Sequence, residues 1–277
     1  MSNWKEQIPA MLEVIRAAGE IIRTAHETQN VEDGVIVKPG EANFVTVFDV
    51  KVQNYLIERL SALLPQAAFM AEEKENDWEE LSKGLCFVID PIDGTTNFIY
   101  NYGCSTISVG LFENGEIVFG AVYNPYLQEM FTAQKGEGAF CNGKPLHVGT
   151  APFRRALVAV GSAPYYRETL GDLTFAVMKD IFMHTADVRR AGSAAWDLCC
   201  VAAGRVDGYY EAVLSPWDYA AGQLLVLEAG GIVMQTDGSP LSPVKNSSVV
   251  AGSPLVQPEL LALVRRHTNG KGAPDHV

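Results

Sequence analysis

The chain has 277 residues, 48% of them hydrophobic, and a formal net charge of −12 from 21 basic and 33 acidic residues. That length supports a large core and two subdomains, and the acidity disfavours a nucleic-acid polymer or an anionic membrane as partner. No apolar run approaches the ~18 residues of a membrane span, no signal-peptide core is seen at the N-terminus, and five cysteines without a Cys-x-x-Cys pair suit a reducing compartment, so the expected location is cytoplasmic.

In chain order, Ile8, Leu12, Ile15 and Ile22 recur at helical spacing and predict an amphipathic helix over about residues 4–28. Residues 31–44, with Lys38, Pro39 and Gly40 among them, read as a mobile loop or weak hairpin. A second helix is expected from about Asp49 to Leu64, with Val52, Leu56, Leu60 and Leu63 facing inward, Asp49 placed as a cap and Pro65 ending it. Leu85 to Ile89 predicts a buried strand. Thr106–Phe112 and Glu116–Tyr123 flank Glu113-Asn114-Gly115, a hairpin signal, and further strands are expected near 129–134 and 156–161. Beyond them, helical stretches (about 165–183, 193–203, 217–229 and 256–268) alternate with short apolar strands (about 186–190, 206–212, 231–235 and 248–252). The change of pattern divides the chain into an N-terminal α+β half, residues 1–155, and a C-terminal α/β half, residues 156–277.

The segment with most chemistry is Asp90-Pro91-Ile92-Asp93-Gly94-Thr95-Thr96. Asp-Pro and Asp-Gly steps are ordinary turn formers. A turn, however, needs neither two carboxylates after a buried strand nor two threonines after the glycine. Two carboxylates at the mouth of a strand are costly unless a cation sits between them. Gly94 lets backbone approach a ligand, and Thr95-Thr96 opens a helix whose N–H groups suit an anion. A hard divalent cation beside phosphate accounts for all of these residue choices.

Other acidic places carry two readings each. Glu72 and Glu73 follow an apolar run and, alone, read as the solvated start of a loop. Ser215-Pro216-Trp217-Asp218 matches a capping box with proline at the first helical position, and a carboxylate there can also face a metal. Glu211, after Tyr209-Tyr210, is either a strand-end acid or a ligand for hydroxyl groups. Gly192-Ser193 is either an ordinary helix cap or an N-terminus facing a polar ligand. Phosphate-loop, dinucleotide and nucleophile-elbow motifs are absent, and the five histidines lack metal-ligand spacing. Oxygen-only ligands point to Mg²⁺ or Mn²⁺ ahead of Zn²⁺.

Asp90 to Phe98 resembles the first signature of the inositol monophosphatase family, and Trp217 to Gly222 its second. Val45-Thr46-Val47-Phe48-Asp49, Ala71-Glu72-Glu73, Lys135 to Gly143 and Arg190 to Ala195 resemble further family elements, in the family's order. The resemblance implies an α+β / α/β architecture, a layered α/β/α/β/α sandwich of the inositol monophosphatase and fructose-1,6-bisphosphatase type. It implies a Mg²⁺-dependent, lithium-sensitive phosphomonoesterase that forms a homodimer and uses two or three ions. One ion would be held by Glu72, Asp90 and the Ile92 backbone oxygen, the second by Asp90, Asp93 and Asp218. Thr95, supported by Asp49, would help Glu72 deprotonate the attacking water. Gly94 and Thr95 would hold the phosphate, and Gly192, Ser193, Ala194 and Glu211 would contact the alcohol. Lys38 matches a basic residue of the loop that closes over the metals. The expected substrate is myo-inositol 1-phosphate or a similar small polyol or sugar phosphate. Fructose 1,6-bisphosphate and adenosine 3′,5′-bisphosphate are the alternatives, for which Arg167, Arg189, Arg190 and Arg205 are available. A non-catalytic binding or scaffold role is the reading from a different class.

Overall fold

The computed structural model describes residues 4–28, 31–37 and 44–268. Helix α1 (Ile8–Arg23) is followed by the short α2 (Ala25–Thr28) and by strands β1 (Val35–Val37) and β2 (Phe44–Thr46), which pair antiparallel. Lys38 lies outside the described residues. Helix α3 (Val47–Leu63) begins two residues before Asp49, because Thr46 is its N-cap and Asp49 closes the capping box from the third position.

A seven-stranded sheet follows: β3 (Ala68–Ala71), β4 (Leu85–Asp93), β5 (Thr106–Glu113), β6 (Glu116–Asn124), β7 (Glu129–Gln134), β8 (Gly138–Cys141) and β9 (Lys144–Pro145), paired in chain order. Only β3 and β4 run parallel. Helix α4 (Thr95–Ile99) springs from the end of β4. The β5–β6 turn uses Asn114 and Gly115, both at positive φ (53° and 85°), as a two-residue hairpin of this hand requires.

The second sheet is built from β10 (Leu157–Val160), β11 (Asp187–Arg189), β12 (Gly208–Leu214), β13 (Ile232–Met234) and β14 (Ser247–Gly252), in the spatial order β11-β10-β12-β14-β13. Its first three strands are parallel, joined through helices α5 (Arg167–His184) and α6 (Ala194–Ala202); helices α7 (Pro216–Glu228) and α8 (Gln257–Thr268) complete the chain.

Three apolar layers hold five structural layers together. Met11, Ile15 and Ile22 of α1 and Val52, Leu56 and Leu60 of α3 pack on Phe87, Ile89, Val109 and Leu111 of the large sheet. Leu198 and Val201 of α6 and Leu224 and Leu225 of α7 lie between Phe131 and Ala133 of the large sheet and Tyr209, Val249 and Ala251 of the small one. Val177 and Ile181 of α5 and Leu260 and Val264 of α8 cover its outer face through Val158, Tyr210 and Val250. Adjacent residues Tyr209 and Tyr210 thus serve opposite layers, as strand alternation demands. The result is an α/β/α/β/α sandwich. Helix α7 comes so near β6 that a Cβ on Gly120 would stand 2.9 Å from the Ala221 carbonyl oxygen.

Candidate active site

Two parallel strand pairs, one in each sheet, end at the same cleft. In the large sheet Ala71 pairs with Ile89, and the Glu72 N–H donates to the Ile89 carbonyl at 3.2 Å, so Glu72 and Asp90 leave adjacent strands side by side. In a straight strand residues 90 and 93 would point to opposite faces. Strand β4 instead bulges: Asp90 lies opposite Ser108 and Asp93 opposite Thr106, one extra residue between them. Pro91, which cannot donate to a ladder, sits in that bulge. The bulge turns both carboxylates toward Asp218 of α7, and ligand atoms of Asp90, Asp93 and Asp218 lie within 4.8 Å of one another.

The surroundings orient each carboxylate. Asp90 accepts the Ile92 N–H at 3.0 Å. Asp93 faces the N-terminus of α6 and accepts the Ser193 hydroxyl at 2.5 Å, the Ala195 N–H at 2.7 Å and the Ala194 N–H at 3.2 Å. Ser193 also caps α6, receiving the Trp196 N–H at 3.3 Å. The anion at this helix end is therefore Asp93 itself. Asp218 accepts the Ser215 N–H at 2.7 Å, as the Ser-x-x-Asp spacing predicts, while Trp217 beside it stacks on Trp78 at 6.1 Å. Asp49 accepts the Thr46 N–H and hydroxyl at 2.7 and 2.6 Å with one oxygen and the Thr95 hydroxyl at 3.2 Å with the other. The Thr95 hydroxyl also lies 3.2 Å from the Ile92 carbonyl. Gly94 holds φ +91°, and a Cβ there would lie 3.1 Å from the Gly192 carbonyl oxygen, so the backbone turns into α4 where a side chain would not fit.

Burial, then mutual repulsion among Glu72, Asp93 and Asp218, drives the Asp90 carboxyl well above its ordinary range; Asp218 rises for the same reasons. Burial also raises Asp93, against the donors around it, and raises Asp49 to about 6. Acids so crowded fit a hard cation: the donor set is all carboxylate and carbonyl oxygen, suited to a divalent ion of the Mg²⁺ or Mn²⁺ kind.

The cleft measures about 760 Å³ and is lined by Glu72, Asp90, Ile92, Asp93, Gly94 and Thr95 on one side and Gly192, Ser193, Ala194, Glu211 and Asp218 on the other. Glu211 is buried, and its oxygens already accept the Ala163 N–H at 2.9 Å and the Tyr209 hydroxyl at 2.5 Å. Of the four arginines weighed for a second phosphate, Arg189 pairs with Asp187 at 2.5 Å, and Arg205 pairs with Glu129 at 2.5 Å and lies over the rings of Phe131 and Trp196. Arg167 and Arg190 line the cleft. Among the lining residues not foreseen are Asp197 and Tyr165. Asp197 interrupts the apolar run of α6 and is 4% exposed, a signal readable in the sequence. Tyr165 follows a proline in a loop, and nothing local marked it.

The fold is a layered sandwich whose cleft holds a carboxylate cluster able to take a metal ion. The family model described as the inositol monophosphatase family matches residues 3–269, and this chain belongs to that family. It is 36% identical over 253 residues to the inositol-1-monophosphatase of Mesorhizobium japonicum, covering 91% of this chain and 93% of that protein. It is likewise 36% identical over 250 residues to the Nus factor SuhB of Escherichia coli, covering 90% and 92%. Among solved structures, the extragenic suppressor protein suhB of Bartonella henselae superposes with a TM-score of 0.86 at 32% identity, covering 94% of this chain and 98% of that one.

Proposed function

We propose that this protein is a Mg²⁺-dependent phosphomonoesterase hydrolysing myo-inositol 1-phosphate or a similar small polyol phosphate to alcohol and phosphate. The observation that carries this reading is the β4 bulge, which sets Asp90 and Asp93 against Asp218 in a cleft wide enough for such a substrate. Asp90, Asp93 and Asp218, with Glu72 and the Ile92 carbonyl, are the groups that would hold the cation. When bound there, the cation would supply charge neutralisation at the phosphoryl group and activation of water.

The chain's own residues do the rest. Gly94 and Thr95 present backbone N–H groups at the start of α4 to the phosphate. Glu72 orients the attacking water and takes its proton. The Thr95 hydroxyl, tied to Asp49, helps position that water, and a carboxyl with a pKa near 6 suits the supporting role at neutral pH. Gly192, Ser193, Ala194 and Glu211 border the space left for the alcohol. Two or three ions, replacement by Mn²⁺, lithium inhibition, a homodimer and a cytoplasmic location belong to the same reading. Among the described residues no helix is long and apolar enough to cross a membrane.

Arg167 and Arg190 favour a second reading, hydrolysis of a substrate with a second anionic group such as fructose 1,6-bisphosphate or adenosine 3′,5′-bisphosphate. Phosphate release from these two compounds and from myo-inositol 1-phosphate, each with Mg²⁺ and with EDTA, separates the readings. The expected result is EDTA-sensitive turnover with myo-inositol 1-phosphate preferred. A preference for either bisphosphate selects the second reading. Release from none of the three leaves a binding role.

A further inference from the structure

The loop from Gly161 to Tyr166 connects β10 to α5 and forms one wall of the cleft. It is held unusually firmly for a loop. The Gly161 N–H donates to the Tyr210 carbonyl at 2.8 Å, and a Cβ on Gly161 would fall 1.9 Å from the Glu211 carboxylate. Ala163 takes a left-handed conformation (φ +40°, ψ +60°), uncommon for a residue with a Cβ, and donates its N–H to Glu211 at 2.9 Å. Its carbonyl accepts the Tyr166 N–H at 2.9 Å, closing a single turn over Pro164, Tyr165 and Tyr166. Arg190 reaches across to the Ser162 hydroxyl at 2.7 Å. Glu211 thus acts as a peg for this loop.

The loop's fixed conformation presents Tyr165. Tyr165 is 44% exposed and lines the same cleft as Glu72, Asp90, Asp93 and Asp218. A phenol hydroxyl is protonated at neutral pH, so Tyr165 offers a neutral hydrogen-bond donor. A half-exposed aromatic ring carried on a hydrogen-bonded loop in the wall of a polar cleft offers an apolar face and one donor. That combination fits a ring-shaped alcohol, whose C–H face lies against the aromatic ring while an edge oxygen accepts from the hydroxyl. An acyclic alcohol presents no comparable face.

We infer that Tyr165 is a specificity-determining residue that selects phosphate esters of cyclic polyols over acyclic ones. The inference rests on the phosphomonoesterase reading and names the substrate class of that same site. The test compares kcat/KM for myo-inositol 1-phosphate and glycerol 2-phosphate in the Mg²⁺-loaded wild type, Tyr165→Phe and Tyr165→Ala. Tyr165→Ala should lower kcat/KM for the cyclic ester by roughly tenfold or more, and for the acyclic ester by less than about threefold, since one lost apolar contact is worth about 10–200-fold in discrimination. Tyr165→Phe should retain most of the preference. In the enzyme labelled at the tyrosine ring, the resonance missing from Tyr165→Phe should shift on adding the cyclic ester. Equal losses on both esters, or no loss with an unmoved resonance, overturn the inference while leaving the phosphatase reading intact. A wild type inactive on both esters overturns that reading, and the inference with it.

Discussion

Asp93 accepts donors from Ser193, Ala194 and Ala195 while contributing an oxygen to the three-carboxylate cluster. Its hydrogen bonds hold the carboxylate in one orientation, so its charge and its shape matter separately. Asp93→Asn keeps one acceptor oxygen but turns an amide N–H₂ toward N–H and O–H donors that have no use for it. The expected outcome is a fold weakened by about 1–3 kcal/mol and a Mg²⁺ requirement raised by more than the roughly 10- to 100-fold that losing a partner behind a metal ligand costs. Thermal melting and Mg²⁺ titration of phosphate release check the two effects; wild-type Mg²⁺ dependence would refute the metal assignment. The Thr95 hydroxyl donates to Asp49 and lies near the Ile92 carbonyl, the contacts through which it would position water. Thr95→Ala should lower kcat by about 100-fold, with Thr95→Ser recovering most of it, and steady-state kinetics on the two variants decides.

Helices and strands place these residues through their ends. Strand β4 delivers Asp90 and Asp93 by bulging, and β12 bulges in the same way between Glu211 and Leu214, where it too reaches the cleft. Helix α6 spends its N-terminus on Asp93 and α7 spends its first turn on Asp218, so the catalytic end of the molecule is also where helix capping is satisfied. About one turn into α5, Gly171 sits at an interior helical position where an added Cβ meets nothing within 4 Å. Gly171→Ala should therefore stabilise the protein by about 0.5–1 kcal/mol without touching activity. Chemical denaturation should show a higher midpoint at unchanged kcat, and a lower midpoint would contradict the open space around α5.

Across the molecule, buried acid dominates the response to pH. Asp49 titrates near 6, and burial with mutual repulsion lifts Asp90, Asp197 and Asp218 well above their ordinary range; burial raises Glu211 as well. Each of these groups binds its proton more tightly folded than unfolded. Their contribution to stability is complete below the unfolded carboxylate value of about 4 and is lost as pH rises through their raised folded values, through about 6 for Asp49. The metal-free protein should thus melt at a lower temperature at pH 7.5 than at pH 5. Saturating Mg²⁺ should raise the melting temperature most at the higher pH, because the cation binds the ionised cluster. Melting curves in EDTA and in Mg²⁺ across this range test both statements, and a melting temperature in EDTA that climbs with pH would contradict the burial assigned to these acids.

Much of this architecture is written locally. The 3.6-residue spacing of Ile8, Ile15 and Ile22, the Asn114-Gly115 turn, the Ser215-to-Asp218 capping box and the alternation of helix and strand after residue 155 each depend on near neighbours, and they recur in the structure within a few residues of their expected ends. So do the six family-like segments, and with them the family. Three strands of the large sheet escaped that reading: β3, a four-residue apolar run, β8, four residues among glycines, and β9, two residues ending in proline, because none is long enough to show an alternation. The site required contacts that no window contains. The sequence sets Asp90 and Asp93 together on a cation beyond a strand ending at Ile89; only pairing with β5 shows that the strand runs on to Asp93 and that a bulge turns both carboxylates the same way. Ser193 reads as a helix cap until the fold brings Asp93, a hundred residues earlier, onto it. Glu211 reads as a strand-end acid until its bond to Ala163 fixes the loop that carries Tyr165. Periodicity reports which face of an element is buried; register and long-range packing decide what that face meets.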